Sequence, residues 1–315
     1  MSAFIIMFRN ILVFLSLMLP GYLFVKLKII KSTESAPLSK LLVNVGMPAL
    51  VFISTANMDL GGANSLNLIL VALFSLVYYF VIYFACNPIV KKMGENNEQK
   101  SAKYCLMFQN AGFLGIPLVQ AVFGPSLVLD TVVVINIVNC ILTNTMGVYI
   151  FSRDKNTINF KKLLLNPAII GFLLGIIVNL TNAFAYVPEI QLFATHLSGI
   201  VTPLAMTIVG IKFTEVSIKK VFTGVKTYVV MFIKLIVHPL LIFTILFVAS
   251  KFIEIPSYII IGSVISFAMP TSSSATTYAD NFKGDTDGAV KYTLSSTVVS
   301  AITISLIYYL LNVIF

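Results

Sequence analysis

Charge is what this sequence has least of. Only 10% of its 315 residues are Asp, Glu, Lys or Arg, against about 25% in a soluble domain. A water-soluble fold of this length could not cover its surface with so few charges. Acidic residues are the scarcest, 12 in all, and none stands near the middle of an apolar run; Asp130 and Asp280 sit at run ends. A proton or sodium relay built on a membrane-embedded carboxylate is therefore disfavoured. There is no GxxxxGK[ST] phosphate loop, no HExxH and no pair of intramembrane aspartates, so no site for ATP hydrolysis or proteolysis is visible and an enzyme is not expected. The three cysteines, Cys86, Cys105 and Cys140, all lie in apolar stretches without motif spacing. That argues against a disulfide framework or a zinc site and leaves small buried apolar residues. No metal and no cofactor is expected.

What the chain does have is apolar length. Hydrophobic residues make up 58% of it, in runs of about 20, enough to cross the roughly 30 Å hydrocarbon layer as helices. Ten segments are expected: 4–25, 41–55, 66–90, 104–122, 127–151, 166–180, 190–211, 227–249, 258–279 and 292–315. The first is too long for the apolar part of a signal peptide and has no small-residue cleavage site before Lys26, so it reads as a membrane helix. The net charge of +9 is spread over short loops rather than gathered into a nucleic-acid patch. Alternate loops hold 18 of the 21 basic residues, including Lys26, Lys91, Arg153, Lys212, Lys219, Lys220 and Lys283, while Arg9 and Lys251 fall on the other side and Lys234 inside a segment. Basic loops stay in the cytoplasm, which places both termini outside, in a cell-membrane protein embedded in the lipid bilayer.

Prolines hint at a duplication. Pro48 and Pro203 are 155 residues apart and Pro117 and Pro270 are 153 apart. The spacing predicts an all-α polytopic fold of two five-helix repeats, 1–151 and 164–315, joined by a short linker at 152–163. Because five is odd, the second repeat would be inverted, a common plan of secondary transporters.

The fourth and ninth segments carry the chemistry. One reads Gln109-Asn110-Ala111-Gly112-Phe113-Leu114-Gly115-Ile116-Pro117, the other Met269-Pro270-Thr271-Ser272-Ser273-Ser274. Proline removes an N–H and glycine loosens the backbone, so both helices are expected to break at membrane depth. If the breaks meet, two half-helix N-termini present free N–H groups and partial positive charge to one centre, which suits an anion. Asn110, Gly112, Gly115, Pro117, Pro270 and the hydroxyls of Thr271, Ser272, Ser273 and Ser274 form the candidate site. The bland alternative is a pair of proline kinks whose Ser and Thr bond their own helices. Asn136 and Asn139 share a helix face with Thr143, and Asn44 precedes the Gly46–Pro48 distortion; each either lines the site or ties helices together. Lys234 is either an anion-attracting or coupling charge or a snorkelling lysine. His238 is either a titrating group or a structural histidine, and His196 reads the same way.

At these segments the chain resembles the auxin efflux carrier family, which includes plant PIN proteins and bacterial malate-type permeases. The matching stretches are Leu19-Pro20-Gly21-Tyr22, Leu42 to Leu50, Asn110 to Leu118, Asn166 to Ile170, Thr202 to Ala205 and Ala268 to Thr271. The resemblance implies ten helices in two inverted halves, broken helices 4 and 9 crossing at Pro117 and Pro270, and an elevator-type carrier working as a homodimer. Asn110 resembles the asparagine that meets the substrate carboxylate in the PIN branch. The short linker fits the bacterial branch, which implies a mono- or dicarboxylate such as malate or malonate as the anionic substrate. The rival expectations are a membrane receptor that binds the same ligand without moving it, and a channel.

Overall fold

The computed structural model describes residues 3–214 and 221–315, with only the backbone of Thr33; Lys219 and Lys220 of the basic loops lie outside the described residues. Those residues are helical and carry no strand beyond one isolated bridge. Seven helices are long and apolar enough to cross a membrane: α1 (Ala3–Lys26), α2 (Ser35–Ala56), α3 (Ala63–Val90), α6 (Leu127–Ser152), α8 (Pro188–Lys212), α9 (Val225–Ala249) and α12 (Thr286–Ile314). Shorter apolar helices are α5 (Ala111–Phe123), α7 (Pro167–Thr181) and α10 (Ser257–Ala268). Two further helices complete the interrupted segments: α4 (Asn96–Met107) leads into α5, and α11 (Ser274–Asn281) follows α10. The chain is thus an all-α polytopic membrane protein.

Several helices begin earlier than their apolar runs. α2 starts at Ser35 rather than Leu41, and α4 at Asn96 rather than Tyr104. A helix satisfies its own backbone in water as well as in lipid, so polar turns continue it past the apolar boundary. At α4 a capping box sharpens the start, with Glu98 accepting the N–H of Glu95 at 2.8 Å.

The prolines act differently from expectation. Pro48, Pro117 and Pro239 each follow a π turn: Leu42–Gly46, Ala111–Gly115 and Ile233–Val237. A proline ring crowds the carbonyl four residues back and offers it no N–H; widening the turn relieves both problems without opening the helix. Pro117 therefore sits inside resumed helix, seven residues beyond the unwound stretch at 108–110, whereas Pro270 lies within the second break, between Ala268 and Ser274. The two prolines are not equivalent positions.

Glycines set the closest packing. A Cβ at Gly210 would fall on the Met18 carbonyl and one at Gly21 on the Thr207 carbonyl, so α1 and α8 touch backbone to backbone. Gly171 and Gly175 do the same for α7 against Pro48 and Phe52 of α2. In lipid, such close approach of small residues is a main source of helix association. Asn179 of α7 then donates to the carbonyls of Ala56 (2.9 Å) and Met58 (2.7 Å), capping the end of α2. Helices α1, α2, α7 and α8 form one glycine-packed group. The interrupted helices pack with α3, α6, α9 and α12, and α1 also leans on α12.

On the basic-loop side, Lys226 at the start of α9 donates to Glu98 at 2.7 Å. That hydrogen bond holds the Glu98 carboxyl below its ordinary value of 4.5. A depressed carboxylate pKa stabilises the fold above the unfolded value, and the contribution is lost as pH falls through the folded value. Glu98→Gln is therefore expected to cost less than about 1 kcal/mol at pH 7. It should also flatten the fall in thermal stability below about pH 4.5, read by unfolding scans from pH 7 to 3.

Candidate functional site

The two interrupted segments touch at their gaps. Asn110 N–H donates to the Pro270 carbonyl at 2.8 Å and Ser272 N–H to the Phe108 carbonyl at 3.0 Å, an antiparallel bridge centred on Gln109 and Thr271. Broken backbone inside a membrane protein must find partners for every freed carbonyl. Here they can be followed one by one. Cys105 O accepts from Thr271 Oγ1 at 3.2 Å; Leu106 O and Met107 O accept from Lys234 Nζ at 3.4 and 3.3 Å. Gln109 O accepts from Asn139 Nδ2 at 3.1 Å, and Asn110 O from Gly115 N–H at 3.1 Å. Thr271 N–H goes to Ser296 Oγ at 3.1 Å. The crossover is held open by side chains from three other helices, α6, α9 and α12.

Two helix starts meet at the same place. α5 and α11 both begin at the crossover, and the first N–H groups of a helix have no partner within it. Two cavities flank this point and share Val43, Asn110, Phe113 and Ser274. The larger, about 210 Å³, is lined by amides and hydroxyls: Gln109, Asn110, Asn136, Asn139, Asn144, Asn166, Thr143 and Ser272, closed by Tyr278. The smaller, about 120 Å³, is lined by Ser273, Ser274, Thr276 and Thr277 of the second interrupted segment and by Leu42, Ala205, Met206 and Lys212 of α2 and α8. Both lie where the glycine-packed helices α2, α7 and α8 face the interrupted ones. No carboxylate lines either cavity among the described residues.

Within the larger cavity the Thr143 hydroxyl has no hydrogen-bond partner, and neither do atoms of two buried amide side chains: both amide atoms of Gln109 and the Nδ2 of Asn136. Gln109 and Asn136 are 1% and 4% exposed. An unpartnered buried amide costs about 1–3 kcal/mol, a cost that a molecule supplying the missing partners would relieve. Gln109 was not anticipated among the candidate residues, although it stands next to Asn110; the signal available was a second amide at the same break.

The sequence candidates therefore divide. Asn110, Gly112, Asn136, Asn139, Ser272, Ser273 and Ser274 line one or both cavities. Asn139 is already engaged at both ends, since its Oδ1 accepts from Tyr79 Oη at 2.8 Å while its Nδ2 holds Gln109 O. Thr271 is wholly buried and spends its hydroxyl on Cys105. Gly115 packs against Met269, Pro117 is in helix, and Pro270 contributes its carbonyl to the bridge. Asn44 is exposed and bonds Lys40 O at 2.8 Å, one turn back on its own helix. Lys234, 0% exposed, reaches neither water nor the cavities. It caps the carbonyl end of α4, where a cation opposes the negative end of the helix dipole. His238 is buried edge-on to Tyr78, ring centroids 6.0 Å apart, away from both cavities. His196 lies near the end of the first half of α8 and lines neither.

The sequence profile of the membrane transport protein family matches residues 6–308. A similar relative is an uncharacterized transporter of Methanothermobacter thermautotrophicus (strain Delta H), 24% identical over 206 residues, which cover 64% of this chain and 67% of the relative.

Proposed function

The chain belongs to the membrane transport protein family, the auxin efflux carrier family, and from that premise we propose that it is a secondary carrier for a small organic anion, a mono- or dicarboxylate such as malate or malonate. One observation carries the choice of charge. Two helix N-termini and the free amides of Gln109 and Asn136 converge on cavities with no carboxylate in their described walls. Partial positive charge at helix starts attracts an anion, and amide N–H groups neutralise it without the desolvation cost of a buried cation. Asn110 and Asn136 orient the carboxylate, and the hydroxyls of Ser272, Ser273 and Ser274 complete its shell.

The reading extends to motion. The site lies at the seam between the glycine-packed helices and the interrupted ones, so sliding one group past the other would carry the ligand across the bilayer in an elevator-type cycle of two inverted repeats. In this reading both termini are extracytoplasmic, the membrane is the plasma membrane and the carrier works as a homodimer.

Isotope counterflow tests the function. Proteoliposomes loaded with unlabelled malonate or malate should accumulate the labelled compound transiently. Binding without counterflow would point instead to a receptor, and a linear, non-saturating flux to a channel.

A further inference from the structure

A carboxylate has lone pairs and no proton to give. It can take the hydrogens of Asn136 Nδ2 and Gln109 Nε2, which the fold leaves unused in the larger cavity. It does nothing for Gln109 Oε1, an acceptor with no donor against it. Because neither amide atom of Gln109 has a partner, exchanging the two positions does not remove that demand. The neighbours are spent. Tyr79 lies beside the amide, but its one O–H goes to Asn139 Oδ1 at 2.8 Å, and Asn139 gives its Nδ2 to the Gln109 carbonyl at 3.1 Å. Asn144 donates to Cys140 O at 2.8 Å, and Tyr278 gives its hydroxyl to Asn144 Oδ1 at 3.2 Å. A carboxylate alone therefore leaves a buried acceptor orphaned, whereas an acid that also carries a proton donor does not. Small acids offer two such donors, a hydroxyl and an ammonium. Two helix starts and the absence of any carboxylate from the described walls disfavour the ammonium; a hydroxyl brings no charge.

We propose that Gln109 is a specificity-determining residue that accepts a hydrogen bond from a hydroxyl on the substrate, so that the site takes a hydroxy acid over the unsubstituted acid of equal length. This rests on the anion-carrier reading above. The carboxylate occupies the donors, and the hydroxyl proton goes to Gln109 Oε1. The acceptor is presented by fixed backbone: Asn110 on one side is tied to the Pro270 carbonyl at 2.8 Å, and Phe108 on the other to the Ser272 N–H at 3.0 Å. Such a residue needs no rearrangement to meet its ligand. An unsubstituted acid of the same size leaves the acceptor bare, and a site built to bond a hydroxyl discriminates against the analogue that lacks it.

The test uses the full chain in nanodiscs, with succinate, malate and aspartate titrated calorimetrically into wild type, Gln109→Met and Asn110→Ala. The three acids share one carbon skeleton and differ at a single substituent: hydrogen, hydroxyl or ammonium. Wild type is expected to bind malate roughly tenfold more tightly than succinate, the scale of one hydrogen bond to a buried group, and aspartate no better than succinate. Gln109→Met keeps the length of the side chain without its acceptor. Malate should then fall to the succinate level, while succinate stays within about twofold and the unfolding temperature holds. If Gln109→Met does not fold, Gln109→Asn, which withdraws the amide by one methylene, takes its place with the same expectation. Equal wild-type affinities for malate and succinate, as a water held on Gln109 would give, overturn the inference. So does a preference for aspartate, or an equal loss of malate and succinate in the Gln109 variant. Asn110→Ala keeps the two levels apart: if it weakens every acid while wild type shows no preference for malate, the role of Gln109 falls and the anion site stands. If wild type binds none of the three, the carboxylate reading fails and takes the inference with it.

Discussion

Lys234→Met is expected to lower anion affinity about 100-fold while leaving thermal stability nearly unchanged. The two halves of that expectation come from opposite terms. Removing the ammonium orphans the carbonyls of Leu106 and Met107, at about 1–3 kcal/mol each. It also removes the cost of burying a cation that pairs with no carboxylate in the described structure, several kcal/mol in the other direction. The stability terms nearly cancel; the functional ones do not. With the cap gone, the cheapest partners for those carbonyls are the N–H groups of the next turn, at Asn110, which would have to leave the Pro270 carbonyl, and at Ala111. Helix α4 would then run into α5, close the gap, undo the bridge to Pro270 and consume the Ala111 N–H at the start of α5. A charge-assisted hydrogen bond to the ligand so lost is worth about 1.5–3 kcal/mol, the upper end of which is a factor near 100. Titration with malonate reads the affinity, and amide hydrogen exchange at residues 110–113 should slow. Unchanged affinity, or exchange that speeds up, would show that Lys234 does not keep the crossover open.

The second large effect separates the amides by role. Asn110→Ala and Asn136→Ala should each weaken binding by about 1–3 kcal/mol, the cost of leaving a buried charged partner unsatisfied, with little change in unfolding temperature. Asn136 in particular has an N–H₂ that the fold does not use. Asn139→Ala should do the reverse. It strands the Gln109 carbonyl and the Tyr79 hydroxyl, so about 1–3 kcal/mol of stability goes, and affinity falls only as far as the crossover distorts. Parallel thermal unfolding and ligand titration of the three variants decides this. If Asn136→Ala destabilises as much as Asn139→Ala, both asparagines are structural ties.

These roles mark where sequence reasoning stops. Length and polarity of the apolar runs gave the membrane class and the helical fold, because lipid demands that each spanning segment satisfy its own backbone. The glycines, prolines and amides around Asn110 and Pro270 pointed to the two segments that are interrupted. The position of the first break was not legible. Pro117 looked like the breaker, yet a π turn absorbs it, and the opening at 108–110 is fixed by groups far along the chain: Lys234, 128 residues from Leu106, and Thr271, 166 residues from Cys105. No local pattern encodes those partners. The same limit explains the asparagines of α6. Spacing put Asn136 and Asn139 on one face, but only their neighbours reveal that one is spent on Tyr79 and Gln109 while the other has an open donor. Gln109 escaped notice for a related reason, since it gains meaning only from the cavity it lines.

The central claim, an anion moved through the crossover site, is tested most directly by charge displacement in proteoliposomes on a solid-supported membrane, with malonate, malate and monocarboxylates applied to wild type and to Asn110→Ala. The account predicts a saturable, carboxylate-dependent current in wild type that falls at least about tenfold at low substrate in the variant, with the dependence on pH and sodium then identifying any coupled ion. A wild-type current that Asn110→Ala leaves intact would contradict the placement of the site, and one that grows linearly with concentration would contradict a carrier altogether.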